Sequence, residues 1–254
     1  MFAEQNADKN AGLDIHHNLI ERMNDDCLEP SDGGVDQRWH HNFVRHGRVA
    51  LRVKPIDRGP IYFYANQFQE NGQDIRFFKQ ALKPGVGYLY NNSSSARQAL
   101  FSISVSDQGV PNFHAFNNLF WTESWWGNQK SIDPNWRGDH NVFVRRGNNP
   151  EWETMRRLAD KLGMDKNSRW IENAPSPFVD VSAGDFRLTP ESPAIGGGAT
   201  PEKALGIARE LPGIEEFVRA DGTVDAGALP AGAPRFVLPR DPKDVRAEPA
   251  GDWP

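Results

Sequence analysis

Ile15-His16-His17-Asn18, Trp39-His40-His41-Asn42, Phe63-Tyr64-Ala65-Asn66, Leu89-Tyr90-Asn91-Asn92, Ala115-Phe116-Asn117-Asn118 and Gly138-Asp139-His140-Asn141 are six versions of one phrase. Each closes on asparagine, and the asparagines fall 24, 24, 26, 26 and 23 residues apart. Two places after them stand Ile20, Val44, Phe68, Ser94, Phe120 and Phe143. Self-similarity at such a period marks one supersecondary unit stacked on copies of itself. About ten residues after each asparagine a second apolar alternation follows, as in Val49-Ala50-Leu51-Arg52-Val53 and Leu100-Phe101-Ser102-Ile103. No pair of runs at 3.6 spacing accompanies it, so helical repeats are excluded and short strands with tight turns remain. Stacked coils of parallel strands would let each asparagine amide bond its counterparts above and below, using both donor and acceptor.

Working outward, the phrase Asn24-Asp25-Asp26-Cys27-Leu28-Glu29-Pro30, the asparagine ladder and Gly59-Pro60-Ile61-Tyr62-Phe63-Tyr64-Ala65-Asn66 resemble the right-handed parallel β-helix superfamily. The later stretch Gly184-Asp185-Phe186-Arg187-Leu188-Thr189-Pro190-Glu191-Ser192-Pro193-Ala194-Ile195 resembles it too. That superfamily includes pectate and alginate lyases, polygalacturonases and uronan epimerases. The resemblance spans about residues 11–230, and it is specific for fold and weak for reaction. It implies an all-β protein, a right-handed parallel β-helix, with coils over 1–145 and a C-terminal cap and tail with short helices over 146–254.

Within the second region, Asn149 and Pro150 open a helix ending at Gly163, with Trp152, Met155, Ala159 and Leu162 on one face. A second helix is expected from Pro201 to Leu211, capped by Thr200 and stopped by Pro212-Gly213. Pro177-Phe178-Val179 and Phe186-Arg187-Leu188 read as isolated strands.

The 254 residues suffice for one solenoid domain, and a net charge of −5 gives no reason to expect nucleic acid. No apolar run approaches a membrane span, and no signal peptide is visible at the start. Cys27 is the only cysteine, so no internal disulfide forms. Because the first repeat begins at Leu13, little chain precedes it to cover the open coil. Missing residues or another chain are therefore expected to cover it, and a secreted, periplasmic or cell-surface location is compatible with a lost signal.

For the site, aligning the coils in steps of 25 puts Leu28, Val53, Phe78 and Ile103 in one inward column. Cys27, Arg52, Phe77 and Ser102 then face outward, as do Glu29, Lys54, Lys79 and Ser104, with Asp25 and Arg76 beside the row and Asp26 undecided. In the enzymes of the resembled superfamily that sheet floors the substrate groove, which implies an acidic, uronate-containing polysaccharide as partner. For β-elimination, a cation or a calcium ion must neutralise the uronate carboxylate and a base must take the C5 proton. Lys54, Arg52 and Lys79 are the catalytic candidates, and Asp25, Asp26 and Glu29 are candidate calcium ligands. Glu29, Arg76, His46, Trp125 and Trp126 are candidate substrate-binding residues, the tryptophans by stacking on sugar rings. Lyase or epimerase activity is the leading expectation. A solvated charge ladder of alternating Glu and Lys is the competing structural reading, and a non-catalytic glycan-binding or cell-surface solenoid is the functional alternative.

Asp25-Asp26-Cys27, His46-Gly47 and Arg52-Val53-Lys54 also resemble parts of the polygalacturonase pattern, whose paired carboxylates hydrolyse. The basic triplet, however, comes on the same coil as His46 rather than a later one. His16-His17 and His40-His41, one coil apart, supply two outward imidazoles at most, a weak metal set.

Overall fold

A computed structural model describes residues 11–30, 34–54, 56–77, 84–95, 99–103 (backbone only), 112–123, 137–148 and 152–236. Three strands make each complete coil. They are β1 (Asp14–His16), β2 (Leu19–Glu21) and β3 (Asp26–Leu28), then β4 (Gln37–His40), β5 (Phe43–Arg45) and β6 (Val49–Val53). The third coil has β7 (Ile61–Tyr64), β8 (Gln67–Gln69) and β9 (Gln73–Phe77), and the fourth β10 (Gly87–Tyr90), β11 (Ser93–Ser94) and β12 (Ala99–Ile103). β13 (Phe113–Phe116), β14 (Leu119–Thr122), β15 (Arg137–Asp139) and β16 (Val142–Arg145) continue two of the sheets, and β17 (Arg169–Ile171) extends one. The first sheet runs β1-β4-β7-β10-β13-β15, the second β2-β5-β8-β11-β14-β16-β17 and the third β3-β6-β9-β12, with parallel pairing throughout. This is the parallel β-solenoid that the repeat predicts.

The ladder holds the corner between the first and second sheets. Side-chain amides of Asn18, Asn42, Asn66, Asn92 and Asn118 donate to Oδ1 of the next asparagine at 2.9–3.0 Å, ending on Asn141. The residue before each asparagine, from His17 to His140, takes a left-handed conformation with φ of 49–56°. Such φ is uncommon outside glycine and falls most often on Asn, Asp and His, which matches five of these six positions. Asn141 finds no seventh asparagine; Asp165 Oδ1 accepts from its amide at 2.9 Å and Ser168 Oγ from its backbone N–H at 2.8 Å. Burial pushes Asp165 up to about 6.

Inside, Val44, Phe68, Phe120 and Phe143 stack on the second sheet and face Trp39, Phe63 and Leu89 of the first. Ser94 interrupts the phenylalanine column because Asp74 of β9 reaches the same point and accepts from its hydroxyl. Asn71 Nδ2 also donates to Asp74, at 3.2 Å. Burial pushes Asp74 up to about 7, against the lowering effect of these two donors.

Helix α1 (Trp152–Leu162) lays Trp152, Met155 and Ala159 on the end of this core. The predicted face holds except at Leu162, which is exposed. The rest of the C-terminal part runs along the flank of the solenoid. β18 (Phe178–Asp180) and β19 (Asp185–Leu188) form an antiparallel hairpin, a correction to their reading as isolated strands. Helix α2 (Pro201–Leu205) starts at Thr200 as predicted, but stops early because Gly206 takes the left-handed capping conformation, with φ of 67°. Phe178, Val181 and Phe186 pack on Phe43 and Val144 of the second sheet. Leu205, Leu211, Phe217 and Val224 pack on Tyr62, Tyr64, Tyr90 and Phe116 of the first. Among the described residues no helix is long and apolar enough to cross a membrane. Residues 1–10, and with them the expected covering of the first coil, lie outside the described residues.

Candidate functional site

Register corrects the uniform step of 25. On the third sheet Asp26 pairs with Val49, Val49 with Gln73 and Gln73 with Ala99, which are steps of 23, 24 and 26. Loops of unequal length separate the strands, so a fixed step drifts. Leu28 therefore neighbours Leu51 rather than Val53, and Val53 neighbours Phe77. Cys27 and Phe77, assigned outward, are buried core residues; burial pushes the Cys27 thiol up to about 12. A one-residue error in step turns a side chain to the opposite face. Arg52 and Arg76 do stand side by side.

The charged group on this face is compact and internally matched. Arg52 Nη1 donates to Asp26 Oδ2 at 2.5 Å and lies 3.1 Å from Glu29 Oε1. Lys54 Nζ is 3.0 Å from the same Glu29 oxygen. Asp26, left undecided by the sequence, is turned in against Arg52 with its side chain only 1% exposed. Of the candidate metal ligands, Asp26 and Glu29 are thus held by cations, while Asp25 is largely exposed, 3.9 Å from Arg48. Among the described residues no three His, Cys, Asp or Glu side chains gather in a way that could hold a metal ion. His46 lies elsewhere, at the left-handed corner after β5. There it lines a 490 Å³ hollow with Glu70, Trp121, Arg146 and Phe178. Lys79, Trp125 and Trp126 lie outside the described residues.

A larger cleft, ≈ 1140 Å³, opens over the first sheet, where the sequence pointed only to the histidine pairs His16-His17 and His40-His41. In-register pairing aligns Arg38, Tyr62, Tyr88 and His114 in one outward row and His16, His40, Tyr64, Tyr90 and Phe116 in the next. Tyr62 stacks on Tyr88 at 5.6 Å between centroids, and Tyr88 on His114 at 5.2 Å. His40, Tyr64, Tyr90 and Phe116 stack successively at 4.6, 5.2 and 5.3 Å. Burial raises the phenols of Tyr62, Tyr64 and Tyr88 and lowers His114 to about 4.

The segment from Arg209 to Glu216 forms the cleft's far wall, with Asp36, Arg38 and Pro60 on the solenoid side. Tyr90 Oη donates to Pro212 O at 2.5 Å. Gly213, at φ of 66°, lies so close to Tyr64 that a Cβ would stand 2.5 Å from the ring. Asp36 is paired with Arg38 at 3.3 Å and Glu216 with His41 at 3.1 Å. Arg209 is exposed, lies 5.9 Å from the centre of the Tyr62 ring and makes no ion pair among the described residues. A signal for these rows existed: Tyr62 and Tyr88, and Tyr64 and Tyr90, are each 26 apart, the spacing of Asn66 and Asn92.

What fold and sites define is a parallel β-solenoid with an asparagine ladder and a C-terminal segment laid along its flank. Compared with models of known families, with curated proteins and with solved structures, the chain matches none.

Proposed function

We propose that this solenoid is a glycan-binding protein that takes an acidic, uronate-containing chain in the cleft over its first sheet. The observation carrying this is Arg209, a guanidinium without an ion-pair partner among the described residues, placed over a tyrosine in a cleft whose other charged lining residues are Asp36, Arg38, Glu210, Glu215 and Glu216. A guanidinium there can meet a carboxylate with two parallel hydrogen bonds, and the stacked tyrosines beneath hold the floor of the cleft rigid. The likeness of the repeat to the pectate lyase-like superfamily supports a polysaccharide as the ligand. The test is titration with polyuronates and with neutral polymers of similar length. Arg209→Ala should weaken polyuronate binding about tenfold, roughly 1.4 kcal/mol, and leave neutral polymers unaffected. Equal binding of both polymers, unchanged by the substitution, would sink the reading.

A lyase or epimerase remains the second reading, favoured by the meeting of Asp26, Glu29, Arg52 and Lys54 at one point. Against it, each cation there already has a carboxylate partner. An absorbance rise from unsaturated uronates, with and without calcium, that disappears in Lys54→Ala would move the function to that face. A fall of less than about fivefold, roughly 1 kcal/mol, would leave Lys54 a structural cation.

A further inference from the structure

The tyrosine rows are almost entirely covered. Tyr62, Tyr64 and Tyr88 are 2, 5 and 7% exposed, and the segment from Arg209 to Phe217 packs against them. The described residues tie this strap to the first two coils through one polar chain. His40 Nε2 meets Asp14 Oδ1 at 2.8 Å, His40 Nδ1 meets His41 Nδ1 at 2.7 Å, and His41 Nε2 meets Glu216 Oε2 at 3.1 Å.

Counting protons decides what this chain is. Ionised carboxylates only accept, so both Nε2 atoms must carry hydrogen. The Nδ1 to Nδ1 contact then requires one more, because two bare lone pairs repel at that distance. Three N–H protons on two rings is one more than two neutral imidazoles hold. The pair therefore carries one positive charge between two carboxylates. One coil below, His16 and His17 make the same 2.7 Å contact. No carboxylate among the described residues holds their Nε2 atoms, so there one neutral ring can donate to the other.

We propose that Asp14, His40, His41 and Glu216 form a proton-operated clasp that holds the Glu216 end of the strap against the first two coils and loosens it when one proton leaves. The use of such a clasp rests on the glycan reading, since loosening would widen the cleft that takes the sugar chain. Other groups facing the pair are His16, 5.0 Å from His40 between ring centroids, and His17, 5.1 Å from His41. Tyr64 stacks on His40 at 4.6 Å, and Arg38 and Glu215 act on Tyr64 from the sheet and the strap. Burial, ahead of the opposing Asp14 contact, lowers His40, and burial also lowers His17. The extra proton is accordingly held in mild acid and lost as the pH rises towards neutrality.

The test is hydrogen exchange of the 209–217 amides without glycan, corrected for the intrinsic pH dependence of exchange, at about pH 5 and about pH 8. Protection in the wild-type chain should fall about tenfold or more between the two. Glu216→Gln should hold its protection within about twofold, because a Gln amide can donate to His41 Nε2 and let a neutral pair keep the Nδ1 bridge. His41→Asn, which tolerates the left-handed φ of 50° at this position, should show low protection at both pH values. Flat protection in the wild type, or a Glu216→Gln response like the wild type's, would overturn the clasp. Should His41→Asn not fold, Glu216→Gln decides alone. Failure of polyuronate binding would leave the exchange result standing, and a flat exchange profile would leave binding at Arg209 standing.

Discussion

The outer faces of the third and first sheets carry the same kinds of charge and use them differently. On the third sheet Arg52 and Lys54 close on Asp26 and Glu29, so cations and carboxylates cancel within one cluster. On the first sheet Arg209 comes from the strap, meets a tyrosine ring and finds no carboxylate among the described residues. The difference teaches that a basic residue indicates a ligand only when its own fold leaves it unmatched. Charge type could be read from the sequence at both places, but pairing could not.

The comparison predicts its largest effect on the third sheet. Arg52→Ala leaves the buried Asp26 carboxylate without its cation and should cost roughly 3–5 kcal/mol, read as a lowered urea midpoint. A loss below about 1 kcal/mol would mean that the cluster is solvated decoration. Between the faces, Asn66→Leu removes the amide that donates to Trp39 O at 2.8 Å and to Asn92 Oδ1 at 3.0 Å. It should destabilise by roughly 1–3 kcal/mol, and an unchanged midpoint would refute the ladder as the element that holds both sheets in register.

Asp74 sharpens the comparison by titration. Its folded pKa, about 7, lies above the unfolded carboxyl value near 4, so the native state favours the neutral acid. The contribution of Asp74 to stability should therefore be greatest below about pH 4 and decline as the pH rises to about 7. Asp74→Asn stays neutral, so its melting temperature relative to wild type should rise across that window, equivalent to at least about 1 kcal/mol. No pH-dependent gain would place water or a further donor beside Asp74. The smallest effect belongs to the first sheet. Arg209→Ala should change stability by under about 0.5 kcal/mol, because the side chain is exposed and unpaired. A cost matching that of Arg52→Ala would erase the distinction between the two faces.

Local pattern determined much of this protein. Recurrence of asparagine, the alternation after it and the small or polar residue before it specify stacked coils, because identical short-range chemistry repeats at a nearly constant period. The start of α2 at Thr200 and most of the buried face of α1 were legible for the same reason, since caps and 3.6-residue periodicity act within a few positions. Tertiary structure alone decided the rest. Loop lengths set the register of β3, β6, β9 and β12, so which charges meet depends on residues that carry no charge. The strap reaches Tyr90 from 122 positions away and His41 from 175. Contacts at such separations leave no periodic trace, because they depend on where a long connection returns rather than on neighbouring residues.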